Sequence, residues 1–184
     1  MFMNPTDLAH LDGQICTCRL CPLSLERKLA VPGCGPAPAE IMLVGEAPGR
    51  EEDLTGKPFV GRAGRLLDAA LEQAGLERSD VFITSVIKCR PPQNRKPKKN
   101  EIDQCRHYLL SQIEILHPNI ICLMGNTATQ AVLGIEGIAK LRGRVLQGRY
   151  LITFHPAAVL RNRNLMNDFV SDLKMLNARS HPLV

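Results

Sequence analysis

Two groups of residues in this chain have types and spacings suited to chemistry: its seven cysteines, and the acid and imidazole groups set beside turns rich in glycine and proline. In CTCRLC, Cys18 and Cys21 are separated by two residues on a turn ended by Pro22, which lets two thiolates share one metal centre. Cys89 closes the strand-like run VIKC. Cys105 lies on the inward face of EIDQCRHYLLSQIEIL, where Ile102, Cys105, Leu109, Ile113 and Leu116 recur at spacings of three and four. Cys16 could chelate together with Cys21, but the tighter spacing favours Cys18. Free cysteines are ordinarily small core residues. That is the expectation for Cys34 and Cys122, and the competing reading of Cys89 and Cys105. Four thiolates suit either structural zinc or an iron–sulfur cluster, and spacing does not separate the two.

The second group begins with GEAPGREEDLTGKPFVGRAG, residues 45–64, which follows the apolar run IMLV directly. Gly45, Ala47 and Gly49 let a ligand approach the backbone closely, and Glu46 is the leading acidic candidate for holding a water or facing a cation. Phe59 sits between turn residues in a chain without tryptophan, which makes it a candidate stacking platform. The stretch has no Gly-Lys-Ser/Thr triplet, no G-x-G-x-x-G, and no Ser or Cys where Glu46 stands. These absences set aside a phosphate-binding P-loop, a dinucleotide fingerprint and a hydrolase nucleophile elbow. Near the other end, His155 precedes Pro156, which confines it to extended geometry. His10, His107, His117 and His181 sit in no comparable motif. Arg90, Arg95, Lys96, Lys98 and Lys99 share one window with Pro91, Pro92 and Pro97, a basic loop that is neither regular helix nor central strand. Such a loop suits a polyanion.

The elements that must position these groups can be read from periodicity. With 184 residues, 45% hydrophobic and 22% charged, the chain fits one globular domain over 1–184. No apolar run approaches membrane-spanning length. The odd cysteine count and an N-terminal stretch, MFMNPTDLAHLDG, that is neither basic nor apolar lead us to expect an intracellular, cytoplasmic protein with reduced thiols. Apolar, β-branched runs at 41–45, 81–87, 119–125 and 149–154 predict strands. Helices are predicted over GRLLDAALEQAG, from an Asn100 cap to before Pro118, from an Asn126 cap to Gly134, and over NDFVSDLKMLNA. Alternation of this kind predicts an α/β fold, a three-layer α/β/α arrangement with a central four-stranded parallel sheet. Ligands bind beyond the carboxyl ends of such strands, so GEAPG, KCRPPQNR and HPAAVLR are expected to converge on one cleft.

These segments carry a resemblance. GEAPGREEDLTGKPFVGRAG resembles the first motif of the uracil-DNA glycosylase superfamily, specifically its family 4 enzymes, which bear an iron–sulfur cluster. The likeness spans nearly the whole chain, through CRLCPL, KCRPPQNRKP, a cysteine on the following helix and HPAAVLR, in the family's order. It implies the uracil-DNA glycosylase fold and a monomeric repair enzyme that flips uracil out of DNA and hydrolyses its glycosidic bond without a catalytic metal. It also implies a 4Fe-4S cluster held by Cys18, Cys21, Cys89 and Cys105, clamping an N-terminal segment at about 1–35 to the basic loop. By the same resemblance, His155 faces the uracil oxygen that gathers charge and Glu46 serves the water or the cationic sugar. Glu52 and Asn94 form a polar pair near the reacting centre, Phe59 stacks on the base, Leu160 fills the gap left in the DNA, and Arg161 and Arg163 hold phosphates. The covalently trapping relatives carry a histidine in an extra basic loop; none lies between Cys89 and Cys105, so turnover is expected.

One position departs from the family's pattern. Ser85 stands where the family usually carries an asparagine that reads uracil, and a hydroxyl is shorter than an amide and rotates freely. Two alternatives to uracil excision follow: a glycosylase shifted towards hypoxanthine or xanthine, and a non-catalytic nucleic-acid-binding module with structural zinc.

Overall fold

A parallel sheet covered on both faces needs strands that are apolar at every position rather than alternating. The sequence supplies this in β1 (Ile41–Gly45), β2 (Val81–Ser85) and β3 (Ile120–Met124), each buried along its whole length. The computed structural model describes residues 5–180. His181 and the first four positions of the expected N-terminal segment lie outside the described residues.

The strands form one sheet in the order β2-β1-β3-β5-β4, where β4 is Val145–Leu146 and β5 is Tyr150–Thr153. All pairings are parallel except that of β4 with β5. The four strands expected are present, but the sheet is five-stranded. The extra strand is a two-residue antiparallel edge, too short to leave a periodic signal.

Alternation along each strand divides the core in two. Met42, Val44, Ile121 and Leu123 face α1 (Pro5–Thr17), α5 (Lys99–Leu116) and α6 (Asn126–Leu133). Ile41, Leu43, Ile120 and Cys122 face α4 (Arg62–Gln73), α7 (Pro156–Arg161) and α8 (Met166–Ser180). The result is the expected three layers. Cys105, Leu109, Ile113 and Leu116 are buried on the inward face of α5, and Gly75, at φ 78°, follows the end of α4 as a left-handed stop. No helix among the described residues is long and apolar enough to cross a membrane.

Both expected asparagine caps are displaced. Helix α5 is capped at Lys98, because the Glu101 carboxylate turns back to accept from the Lys98 N–H at 2.7 Å. Helix α6 is capped at Gly125, whose φ of 95° suits glycine alone. The short helices α2 (Leu23–Glu26), α3 (Arg50–Thr55) and α7 give too few turns for a periodic pattern. Cys122 is buried as expected, but Cys34 is exposed. Its backbone exchanges hydrogen bonds with Ile83 along the outer edge of β2, which turns the side chain away from the core.

Phe169 of α8 is fully buried against this second core. Phe169→Ala is expected to lower the unfolding free energy by about 3–5 kcal/mol, read from denaturant titration.

Candidate active site

The order β2-β1-β3-β5 reverses direction between β1 and β3, and a doubly wound sheet opens its crevice at such a point. A cleft of about 730 Å³ lies there, and residues following β1, β2, β3 and β5 all reach its wall. The three segments expected to converge do so.

His155 leaves β5 in extended geometry, φ −73° and ψ 137°, and caps α7. Its Nδ1 accepts from the Ala157 N–H at 3.1 Å. A ring nitrogen that accepts carries no proton, so this bond assigns the proton of the neutral ring to Nε2. Nε2 lies buried, with no hydrogen-bond partner among the described residues, in a ring that lines the cleft. Burial, with a smaller push from the positive charge of Arg161, lowers the imidazole to about 4. At neutral pH the cleft therefore holds an uncharged N–H donor with nothing to donate to.

Phe59 lies beside it, ring centroids 5.7 Å apart and planes inclined by 37°. Its φ of 51° is left-handed, a costly conformation for a bulky residue. Arg78 holds it there, donating to Phe59 O at 3.1 Å and Pro58 O at 2.5 Å while paired with Asp68 at 2.6 Å. Two glycines make room. A Cβ on Gly45 would stand 2.5 Å from the Phe59 ring, and one on Gly64 would stand 1.8 Å from Phe59 O. Glu52 closes the turn as a strut. One carboxylate oxygen accepts from Val60 N and Gly61 N, both at 2.9 Å, and the other from Gly49 N at 3.1 Å.

Glu46, also on the cleft wall, accepts a short hydrogen bond from the Thr127 hydroxyl, which joins the end of β1 to the start of α6. Ala47, Ser85 and Leu160 also reach the wall, with Ser85 buried. Asn94, at φ 55°, lines the cleft while its side-chain oxygen accepts from Arg90 Nε at 2.7 Å. Glu52 and Asn94 thus share the cleft, each hydrogen-bonded to other groups. Arg161 is at the rim; Arg163 is exposed and off the wall. In the basic loop, Arg95 clasps the buried Glu101 with two bonds of 2.6 and 2.9 Å, and this pairing holds the Glu101 carboxyl below the usual range.

The family model for the uracil DNA glycosylase superfamily matches residues 32–174. The chain belongs to that superfamily. It is 45% identical to the type-4 uracil-DNA glycosylase of Pyrobaculum aerophilum, with 92% of each chain covered. It is 42% identical to the type-4 enzyme of Archaeoglobus fulgidus, covering 89% of this chain and 88% of that one. Identity to the type-4 enzyme of Thermotoga maritima is 47%, over 80% of each.

This superfamily member has a second cavity, under the N-terminal segment. Cys18, Cys21, Cys89 and Cys105 all line it, whereas Cys16 is exposed and belongs to a different surface. Of the two alternatives, Cys18 is therefore the one that shares a cavity with Cys21. The four sulfurs line a wall without closing on one point: among the described residues, no three Cys, His, Asp or Glu side chains surround a single ion position. Burial pushes the Cys89 thiol up, and Cys105 up to about 11, against the pull of neighbouring cations. Arg27 Nη1 donates to Cys89 Sγ at 3.0 Å, and the Lys88 N–H to Cys105 Sγ at 3.3 Å. Four thiols sharing one cavity, two of them met by N–H donors, are a donor set suited to a thiolate-bound metal centre.

Sequence reasoning did not find Thr127, Arg78 or Lys88. The partners of Thr127 and Arg78 are distant in the chain and leave no local signal. Lys88 had one: a lysine inside the apolar strand end VIKC is anomalous.

The imidazole shift has a measurable consequence. Because His155 binds its proton near 6.5 when unfolded and near 4 when folded, the unfolded state is favoured as pH falls between these values. Unfolding free energy is expected to drop by roughly 1 kcal/mol per pH unit over that window, and His155→Asn should flatten the slope in chemical denaturation followed against pH.

Proposed function

We propose that this chain is a DNA repair glycosylase that hydrolyses uracil from DNA and leaves an abasic site. The observation that carries the reading is the buried Nε2–H of His155, unpartnered among the described residues, beside Phe59 in a cleft that Glu46 also lines. The names of the type-4 relatives supply the base and the polymer.

A glycosylase takes its base out of the stack and breaks the bond from base to sugar, leaving negative charge on the base and positive charge on the sugar. In this chain the flipped base enters the cleft and stacks on the Phe59 ring. His155 Nε2–H donates to the base oxygen that gains charge, already neutral and already aimed, so no reorganisation is needed as the bond breaks. Glu46, held by Thr127, faces the sugar side, where a carboxylate steadies the cation or positions the attacking water. Gly45 and Ala47 keep the backbone close to the base. Leu160 fills the space the base leaves, and Arg161 and Arg163 meet phosphates. Ser85 and Asn94 contact the base edge and its surroundings.

The four cysteines hold a 4Fe-4S cluster in this reading. The donor set and the cavity between the sulfurs suit a polynuclear centre, whose part is structural: bonds from four thiolates tie α1 and α2 to the basic loop and α5. The substrate is uracil-containing DNA.

Ser85 favours a second reading limited to base choice, in which a hydroxyl in place of an amide loosens selectivity. Oligonucleotides carrying uracil, hypoxanthine or xanthine, followed by alkaline cleavage of abasic sites, separate the two. Excision of hypoxanthine or xanthine above uracil would favour the second, and Ser85→Asn should then restore preference for uracil.

Removing the His155 donor with His155→Ala is expected to slow single-turnover release of uracil by roughly 10²–10³-fold, the loss of about 3 kcal/mol typical of one preorganised donor. DNA affinity, measured by fluorescence anisotropy, should hardly change. Glu46→Gln should likewise depress release more than binding. Undiminished release in both variants would remove the assignment.

A further inference from the structure

Lys88 is almost completely buried, and the chemistry assigned to the cleft makes no use of it. Its ammonium donates to Thr84 Oγ1 at 2.6 Å, Gln112 Oε1 at 2.7 Å and Ser85 O at 2.8 Å. Thr84 and Gln112 in turn donate to Pro32 O, at 2.6 and 2.9 Å. One side chain thus binds the end of β2, which carries Ser85, to α5 and to the N-terminal segment. All three acceptors are neutral, however, and a buried ammonium needs an anion. Asp12 supplies one negative charge that acts on it electrostatically, but no hydrogen bond joins the two: Asp12 Oδ1 is buried without a hydrogen-bond partner among the described residues. On its other side Lys88 lines the four-thiol cavity, with its backbone N–H on Cys105 Sγ. Arg27 approaches the same cavity and donates to Cys89 Sγ, while a second nitrogen donates to Cys16 O at 2.8 Å.

We propose that Lys88 and Arg27 are the countercations of the four-thiolate centre, and that Lys88 alone also fixes the β2 end that forms the floor of the base pocket. Lys88 is a positioning residue, since it acts through Ser85 and the backbone. The inference rests on the reading of Cys18, Cys21, Cys89 and Cys105 as metal ligands. A metal bound by four thiolates carries net negative charge, which adds to that of Asp12 in answering the Lys88 ammonium, and each N–H aimed at sulfur stabilises electron density on the centre. Two cations with different attachments give a separable pattern. Arg27 sits at the half-buried outer side, its guanidinium on the Cys89 sulfur and the Cys16 carbonyl; Lys88 joins the cavity to the β2 end that carries Ser85.

The test uses metal-loaded protein purified without oxygen, with Lys88→Met and Arg27→Met beside the unaltered chain. Midpoint potential by spectroelectrochemistry, loss of visible absorbance to a ferrous-iron chelator and single-turnover release of uracil are measured on each. Removing a cation disfavours the added electron, so both variants are expected to shift the potential negative and to lose metal several-fold faster. Only Lys88→Met should also slow uracil release, by roughly tenfold or more, as displacement of a pocket wall does. If Lys88→Met does not fold, Thr84→Val removes one acceptor and keeps the charge; it should slow release with the potential unmoved. Unaltered protein without metal at these cysteines would sink the ligand reading and this inference together. A metal-bearing protein whose potential in either Met variant equals that of the unaltered chain, or whose uracil release falls no further without Lys88 than without Arg27, overturns this inference alone.

Discussion

The structure depends on one constraint: strands that run parallel and are buried on both faces cannot place polar chemistry along their length. Every position of β1, β2 and β3 is buried, so reactive groups can stand only where the chain leaves the sheet. Parallel pairing sends all these exits to one edge, and the reversal of strand order between β1 and β3 opens that edge into a cleft. Glu46, Ser85, Thr127 and His155 are the consequence, each lying within three residues of a strand end.

Loops leaving such an edge must still be held, and here they are held by charged or polar groups saturated with hydrogen bonds. Glu52 takes three backbone N–H groups and so shapes the turn that presents Phe59. Arg78 takes two carbonyls and keeps Phe59 in its left-handed conformation. Glu101 does the same for the basic loop through Arg95 and Lys98, and Lys88 for the end of β2. A buried charge with all its partners present is rigid, because losing any one partner exposes the cost of its desolvation. His155 Nε2 is the contrast: a buried donor left open in a site otherwise well satisfied. In the proposed reaction, which must meet a growing negative charge on the base, the donor's partner would be the substrate.

Much of this was legible before any coordinates. Apolar runs marked the four parallel strands because full burial leaves no alternation, and helical spacing placed Cys105 on the inward face of α5. The convergence of three motifs followed from the topology of alternating strands and helices. The misses have equally physical causes. Strand β4 is shorter than any period. Cys34 resembled a core thiol because the edge pairing that turns it outward involves its backbone alone. Asn100 lost the cap of α5 to a carboxylate one residue further on.

By itself the sequence determined what is local or periodic: the strand and helix pattern, the extended His-Pro step, the spacing of Cys18 and Cys21, and the glycines that clear a path for a ring. Only the tertiary structure decided which nitrogen of His155 carries the proton, which cysteines share a cavity, and where Glu52, Arg78, Thr127 and Lys88 spend their hydrogen bonds. The reason is one of range. Periodicity and backbone restriction act between neighbours in the chain, whereas a protonation state or a buried charge is settled by groups that meet only after the sheet has formed.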